Sequence, residues 1–463
     1  MSGRRQFTQT LLPIAGVFRL AAALSTTRSR EIWALSLPII GGMTSQNVLN
    51  LVDTAMVGQL GPAALAGVGL SSFVNFLAMA AVTGLSVAVQ AIAARRVGEG
   101  RLDEAAIPLN GGLLLSLLIG VPISVVLILI APWLFAKLNP DPAVAEQGVP
   151  YLQMRLLSVF ALGMNFSFRG YWSAVKRAHL YMGTLIWMHT LNIGLNYCLI
   201  FGKLGLPEMG TRGAGLGTSI SLCVGTATYF WLARRHAADS GFLKRRPSRA
   251  ELKAQLKLGV PAMAQQLLFA AGFVVLFWIV GQIGTSELAA ANVLVNITLV
   301  TVLPGMGFGL AAATLAGQAL GRRDADDAHR WMWDVFRQSI YLLTPFALAF
   351  ILIPSVILAP FLKTPELVNL ARLPLQLIGL TVIGDALGMI LMNTLLGVGA
   401  TRMVLMVAVG MQWGLFLPLA YLLGPVWGLG LNAVWFAMIG YRGIQAGIFV
   451  ALWQRRAWAT IRL

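Results

Sequence analysis

Twelve runs of about twenty apolar residues decide what this chain can fold into. A hydrocarbon core about 30 Å thick needs roughly 20 apolar residues per helix. Runs of that kind occupy 36–57, 68–94, 108–131, 149–172, 184–202, 214–233, 258–281, 291–317, 339–358, 371–397, 404–423 and 429–453. Their length and Gly-rich character favour helices over barrel strands, which would be about ten residues each with apolar and polar residues alternating. Inside lipid a helix also satisfies its own backbone groups. Only 11% of residues are charged, against about 25% in soluble domains, so the apolar surplus faces lipid. The net charge of +17 raises nucleic acid as a partner. The charges sit in short loops between apolar runs, however, a topological pattern that excludes that reading. Cys198 and Cys223 lie inside apolar segments with no CxxC or Cys/His spacing, so no disulfide and no metal centre is expected.

The basic residues set the orientation. Of 34 Lys and Arg, 25 fall in segments on the side of the N-terminus and only Lys137, Lys203, Arg212 and Lys363 in loops on the other side. The positive-inside rule then puts both termini in the cytoplasm, with the chain crossing the inner membrane. The stretch 1–30 lacks acids and carries Arg4, Arg5, Arg19, Arg28 and Arg30 around an apolar run. Arg19 interrupts that run and no cleavage motif follows, so the stretch reads as a cytoplasmic extension rather than a signal peptide. The acidic sequence RRDADDAHRWMWD at 322–334 reads as a solvated cytoplasmic turn leading into an interfacial helix.

The chain also repeats itself. LSLPIIGG at 35–42 matches LGVPAMAQ at 258–265, and VGQLG at 57–61 matches VGQIG at 280–284, so the register offset is 261 − 38 = 223. At the same offset Gly84 meets Gly307, Gly98 meets Gly321 and Pro142 meets Pro365. The expected fold is an all-α integral membrane protein with twelve transmembrane helices, built as two six-helix bundles. Six is even, so the halves enter the membrane alike and are related by a pseudo-two-fold along the membrane normal. The expected units are a lobe over 31–233, a cytoplasmic linker over 234–257, a second lobe over 258–455 and a tail over 456–463. Such a frame places a cavity between the halves and opens it to alternate sides, so transport is the default function.

Residues that differ between the copies are not explained by the shared scaffold. Asp53 corresponds to Leu276 and Asp385 to Leu162, so each half owns one intramembrane carboxylate. Such a group costs about 2.5–3.5 kcal/mol on insertion scales and marks ion or proton paths. Gln46, Asn47, Asn50, Asp53 and Thr54 form a polar stripe at helical spacing, and His189, Asn192 and Asn196 form another. Asn165 and Thr218 are candidates to line the same interior. For each Asn the competing role is interhelical glue, worth about 0.6–2 kcal/mol per contact. For His189 it is a packed neutral imidazole, although the side chain titrates near working pH.

NLVDTAMVGQLGPAALAG at 50–67, its echo at 273–293, FRG at 168–170 and LLGVGATR at 395–402 resemble the multidrug and toxic compound extrusion (MATE) family, nearest its DinF-like branch. The resemblance covers nearly all of 31–455 and implies a V-shaped antiporter. Such a protein exports organic cations or related amphipathic compounds in exchange for protons or sodium. It implies that Asp53 is the coupling acid of the N-terminal lobe and Asp385 the acid used in the C-terminal lobe of other branches. Asn192 matches a family Asn, whereas Asn196 stands where archaeal DinF-like relatives carry a second Asp. The acid that sodium-coupled relatives carry in the seventh helix is replaced by the region of Gln265, Gln266 and Phe269, which favours protons over sodium. No cofactor is implied, and the duplicated chain is expected to work as a monomer on a small cationic or amphipathic substrate within the bilayer.

Desolvation favours the neutral form of a carboxyl group, so Asp53 and Asp385 are expected to hold a proton in one state and release it in another. Two readings compete. A flippase for a lipid-linked or anionic lipid would want a cationic cavity. A membrane-embedded enzyme would want a His–Asp pair or metal ligands at a membrane face, and HxxxxD, HExxH and GxGxxG patterns do not occur in usable context.

Overall fold

The computed structural model describes residues 26–139, 141–362, 364–461 and 463, and folds every apolar run into helix. The N-terminal lobe holds α1 (Thr26–Gly58), α2 (Pro62–Gly98), α3 (Ile107–Leu138), a fourth helix in two pieces, α4a (Pro142–Leu156) and α4b (Val159–Ala174), α5 (Ala178–Phe201) and α6 (Gly210–His236). The C-terminal lobe holds α7 (Arg249–Ile283), α8 (Thr285–Gly321), α9 (Ala325–Leu352), α10 (Pro365–Gly397), α11 (Thr401–Val426) and α12 (Gly430–Gln454). Ten of the described helices are long and apolar enough to cross a membrane on their own. The other two spans are α1, diluted by its polar stripe, and α4, split at Leu157 and Ser158 into pieces of 15 and 16 residues.

The split in α4 frees carbonyl groups, and in lipid these need partners. Ser219 of α6 supplies them: its hydroxyl lies 2.6 Å from Met154 O and 3.0 Å from Ser158 Oγ, and Ser124 of α3 bonds Leu156 O. The corresponding stretch of α10 is unbroken. α11 departs from α-helical winding in two π-helical turns, Gly410–Phe416 and Leu422–Val426.

The repeat appears as paired contacts. Gln153 donates to Ile128 O at 3.2 Å, and at the equivalent place in the second copy Gln376 donates to Ile351 O at 3.1 Å. Between the lobes, a Cβ placed on Gly98 would strike Gln318 O, while one on Gly321 would strike Arg95 O. Because 98 + 223 = 321 and 95 + 223 = 318, these two contacts exchange under the pseudo-two-fold, and α2 and α8 cross at its axis with no room for a side chain. Lipid chains are as apolar as a Leu side chain, so close backbone approach replaces the hydrophobic drive for helix association.

The lobes join toward the face where basic residues collect. Gln90 bonds Leu310 O and Thr314, both at 2.9 Å, Gln318 bonds Ala174 O, and Arg96 pairs with Glu251 at 2.9 Å. Arg28 pairs with Asp327 and Asp334 and covers the Trp331 ring at 3.7 Å. The segment 322–334, expected as a solvated turn leading into an interfacial helix, does lead into α9, but its Asp327 and Asp334 are not simply solvated: they clasp the start of α9 to α1. Ile40 packs on Gly307. The buried apolar clusters that draw on both lobes lie at this face, Ile32, Leu35 and Ile39 with Phe308 and Leu315, and Ala88 and Ile92 with Leu258. The clusters toward the opposite ends of the helices, around Val57 and Ala64 and around Leu276 and Ala290, each stay within one lobe. The lobes therefore diverge away from the basic face.

Three expected boundaries move. Residues 26–30 belong to α1, not to an extension, and residues 1–25 lie outside the described part. The linker shortens from 234–257 to 237–248, because α6 runs to His236 and α7 begins at Arg249 under a Ser248/Glu251 capping box, which was readable as S-x-x-E. The tail is not a loose end: Ala457–Thr460 forms a 3₁₀ turn that buries Trp458 against Trp453, ring centroids 4.0 Å apart.

Candidate functional site

The polar stripe of α1 starts within two turns of the Ile40 contact and continues into the space left by the diverging lobes. Asn50 and Thr54 are exposed and Asp53 is half-buried. Asn47 and Thr54 return hydrogen bonds to their own helix, at Met43 O and Asn50 O. Gln46 reaches out in two directions, donating to Asn50 Oδ1 at 3.2 Å and accepting from His189 Nε2 at 3.1 Å. That acceptance places a proton on Nε2, and Nδ1 lies 2.7 Å from the Ser45 hydroxyl.

Asp53 is held from α5. Asn196 Nδ2 donates to Asp53 Oδ1 at 2.9 Å and to Asn192 Oδ1 at 3.2 Å. Gly217 of α6 lets the Asn196 side chain lie this close, since a Cβ there would overlap Asn196 Oδ1. Asn192 and Asn196 are each 1% exposed, and Asn192 Nδ2 and Asn196 Oδ1 have no hydrogen-bond partner. One carboxylate oxygen is thus engaged, and the oxygen of the amide that engages it is itself unbonded. The group can take a proton or a small cation without breaking the Asn196 bond. Among the described residues Asp53 has no ion pair, and the cation acting on it electrostatically is Arg155 at the end of α4a.

The equivalent sites in the other lobe show what is special here. Asp53 and Asn196 correspond to Leu276 and Leu419. His189 corresponds to Gln412, which with Trp413 bonds Phe269 O and Leu268 O, the residues equivalent to Gln46 and Ser45. A polar contact between the first and fifth helices of a lobe is scaffold. The carboxylate–amide pair is an addition to one lobe.

One expected member lies elsewhere. Asn165 is buried between α4b and α6, donating to Leu222 O and accepting from Thr226 at 2.8 Å, so it acts as interhelical glue. Thr218 is 6% exposed and bonds Ala214 O of its own helix. Asp385 is not the lone acid expected: Arg442 of α12 pairs with it, Nη1 to Oδ2 3.4 Å, with side-chain exposures of 17% and 18%. The signal for this partner was a basic residue inside an apolar span: Arg442 lies within the run 429–453, so searching the spans for basic as well as acidic residues finds both.

Residues 38–198 and again 261–422 match the MatE family model, one match in each lobe. The chain is 26% identical over 449 residues to a protein of Thermotoga maritima named "Probable multidrug resistance protein NorM", covering 93% of this chain and 94% of that one. Two solved structures share the fold. One is an outward-facing multidrug resistance MATE family transporter of the MOP superfamily, with TM-score 0.86 and 23% identity over 96% of this chain and 99% of that one. The other is a MOP superfamily transporter from Pyrococcus furiosus described as having a binding pocket of reverse polarity, with TM-score 0.85 and 22% identity over 94% and 97%. Two copies of the family pattern, one on each of two six-helix lobes joined at a glycine seam, cover well over half of the length, and the chain belongs to the MatE family.

Proposed function

We propose that the chain is a secondary antiporter that exports organic cations or amphipathic toxic compounds by alternating access, in exchange for protons taken up at Asp53. The observation that carries this reading is the Asp53–Asn196 pair, half-open to the space between the lobes and replaced by Leu276 and Leu419 in the other copy. Ionised Asp53 attracts a cationic passenger. Protonation removes that charge and releases it. The basic face is cytoplasmic on the positive-inside rule, so the chain crosses the inner membrane with its termini inside. The space at Asp53 then faces outward, where protons arrive. The names of the relatives, multidrug resistance proteins, support the substrate class. Protons are preferred to sodium because Asn196 and the Gln265/Gln266 region supply no further carboxylate, and a bare sodium ion wants several oxygen ligands. Asp385, already neutralised by Arg442, is not required to carry a coupling ion.

The test is uptake of a cationic dye by inside-out proteoliposomes under separately imposed pH and sodium gradients. A pH gradient alone should drive uptake, and Asp53→Asn, which fixes the uncharged state, should bring it to the protein-free rate and weaken dye binding to the level the parent shows at low pH. Full uptake by Asp53→Asn, or uptake driven only by sodium, overturns the corresponding part of the proposal.

A further inference from the structure

At the basic face, away from Asp53, two cavities of about 230 and 400 Å³ lie side by side, sharing Ile92 of α2, Ala254 of α7 and Leu463. The smaller is charged but its acids are already paired, Glu99 with Arg101, and Glu251 with both Arg96 and Arg245. Two buried groups lining it are unsatisfied, the donor Arg95 Nε and the acceptor Gln255 Oε1, the latter on a side chain that is 1% exposed. Arg95 otherwise bonds only Ile461 O, at 3.1 Å, among the described residues. The larger cavity has apolar walls, including Leu258, Met403 and Met406, and two cations at its edge, Lys257 and Arg402, which have no acidic partner among the described residues. Met406 is 68% exposed, so this cavity opens where lipid chains would lie.

We propose that the two cavities together bind one anionic phospholipid whose headgroup bears hydroxyls, a phosphatidylglycerol-type lipid. A phosphodiester oxygen accepts from Arg95, a headgroup hydroxyl donates to Gln255 Oε1, and one acyl chain covers Leu258 and Met406. Lys257 and Arg402 supply the remaining positive field. Choline and ethanolamine lipids carry no net negative charge to answer three cations, and a soluble phosphate has nothing for the apolar walls. Basic pockets between membrane helices on the positive face are suited to such headgroups. Ile92 belongs to one lobe and Arg402 to the other, so the bound lipid bridges both.

Native mass spectrometry of the purified protein, delipidated and then offered equal phosphatidylglycerol and phosphatidylcholine, tests this. One phosphatidylglycerol per chain should be retained in preference. The double variant Lys257→Gln/Arg402→Gln should weaken retention about fivefold for each cation lost, whereas Lys244→Gln/Arg246→Gln, an equal charge change in the exposed linker, should not. Arg95→Gln is measured separately, with its helix content checked, because Arg95 also ties down Ile461. Equal retention of the two lipids overturns the proposal, as does equal loss in the linker control. So does displacement of the lipid by an equal concentration of glycerol 3-phosphate, which would make this a free-anion site.

Discussion

Asp385 stripped of Arg442, or Arg442 stripped of Asp385, would be a charge held inside the bundle with nothing to answer it. Breaking such a pair from one side costs about 3–5 kcal/mol, while replacing both partners by uncharged groups is often neutral. The N-terminal lobe already contains an uncharged residue, Leu162, at the position equivalent to Asp385. Asp385→Leu alone should therefore lower the thermal midpoint, and adding Arg442→Ser should recover most of the loss. The double-mutant cycle should give a coupling energy above about 1 kcal/mol, and additive losses would show that the two side chains do not act as a pair. His189 offers a second test at this scale. The other lobe puts Gln412 in its place and makes a backbone contact with the same first helix. His189→Gln should keep dye efflux within about twofold and leave its pH profile unmoved, and a profile displaced by about one unit would make the imidazole the titrating group.

At the scale of helices, the sequence and the structure part company where backbone winding, not burial, is at stake. Apolar length located all twelve spans, and the constant offset between the copies reappears in the structure as the shared contact of Gln153–Ile128 and Gln376–Ile351. The break at Leu157 and Ser158 was hidden, because an apolar run reads the same whether its carbonyls bond within the helix or to a neighbour. The π turns of α11 were hidden for the same reason. The sites divided likewise: Asp53, Gln46 and Asn196 stood out as polar groups in apolar surroundings, whereas spacing could not tell that Asn165 faces α6. Ser219 is the residue on which the broken helix depends. Ser219→Ala leaves Met154 O unbonded in a setting without water, which should cost about 1–3 kcal/mol. Hydrogen exchange should rise in 154–162 and not in the equivalent 377–385 of unbroken α10. Uniform protection across both segments would mean that the break is held by other groups.

For the whole molecule, the lobes meet at a seam where neither Gly98 nor Gly321 can bear a side chain, with polar clasps at one end and the Asp53 stripe toward the other. Pairing of Asp385 changes what such a machine can couple. Two independent acids would allow two protons per passenger. With Asp385 bound to Arg442, the proposed mechanism exchanges one proton at Asp53 for one monovalent cation, and that exchange moves no net charge. A pH gradient of one unit then supports about tenfold accumulation of dye, and membrane potential adds nothing. A two-proton exchange would gain about 2.3 kcal/mol from each 100 mV, raising accumulation about fiftyfold. Proteoliposomes at fixed pH gradient, with potential set by potassium and valinomycin, separate the two outcomes. Accumulation should stay level as potential is varied, and the Asp385→Leu/Arg442→Ser protein should behave the same way. A steep dependence on potential in the parent that vanishes in the double variant would return Asp385 to the coupling reaction and leave Arg442 as its regulator.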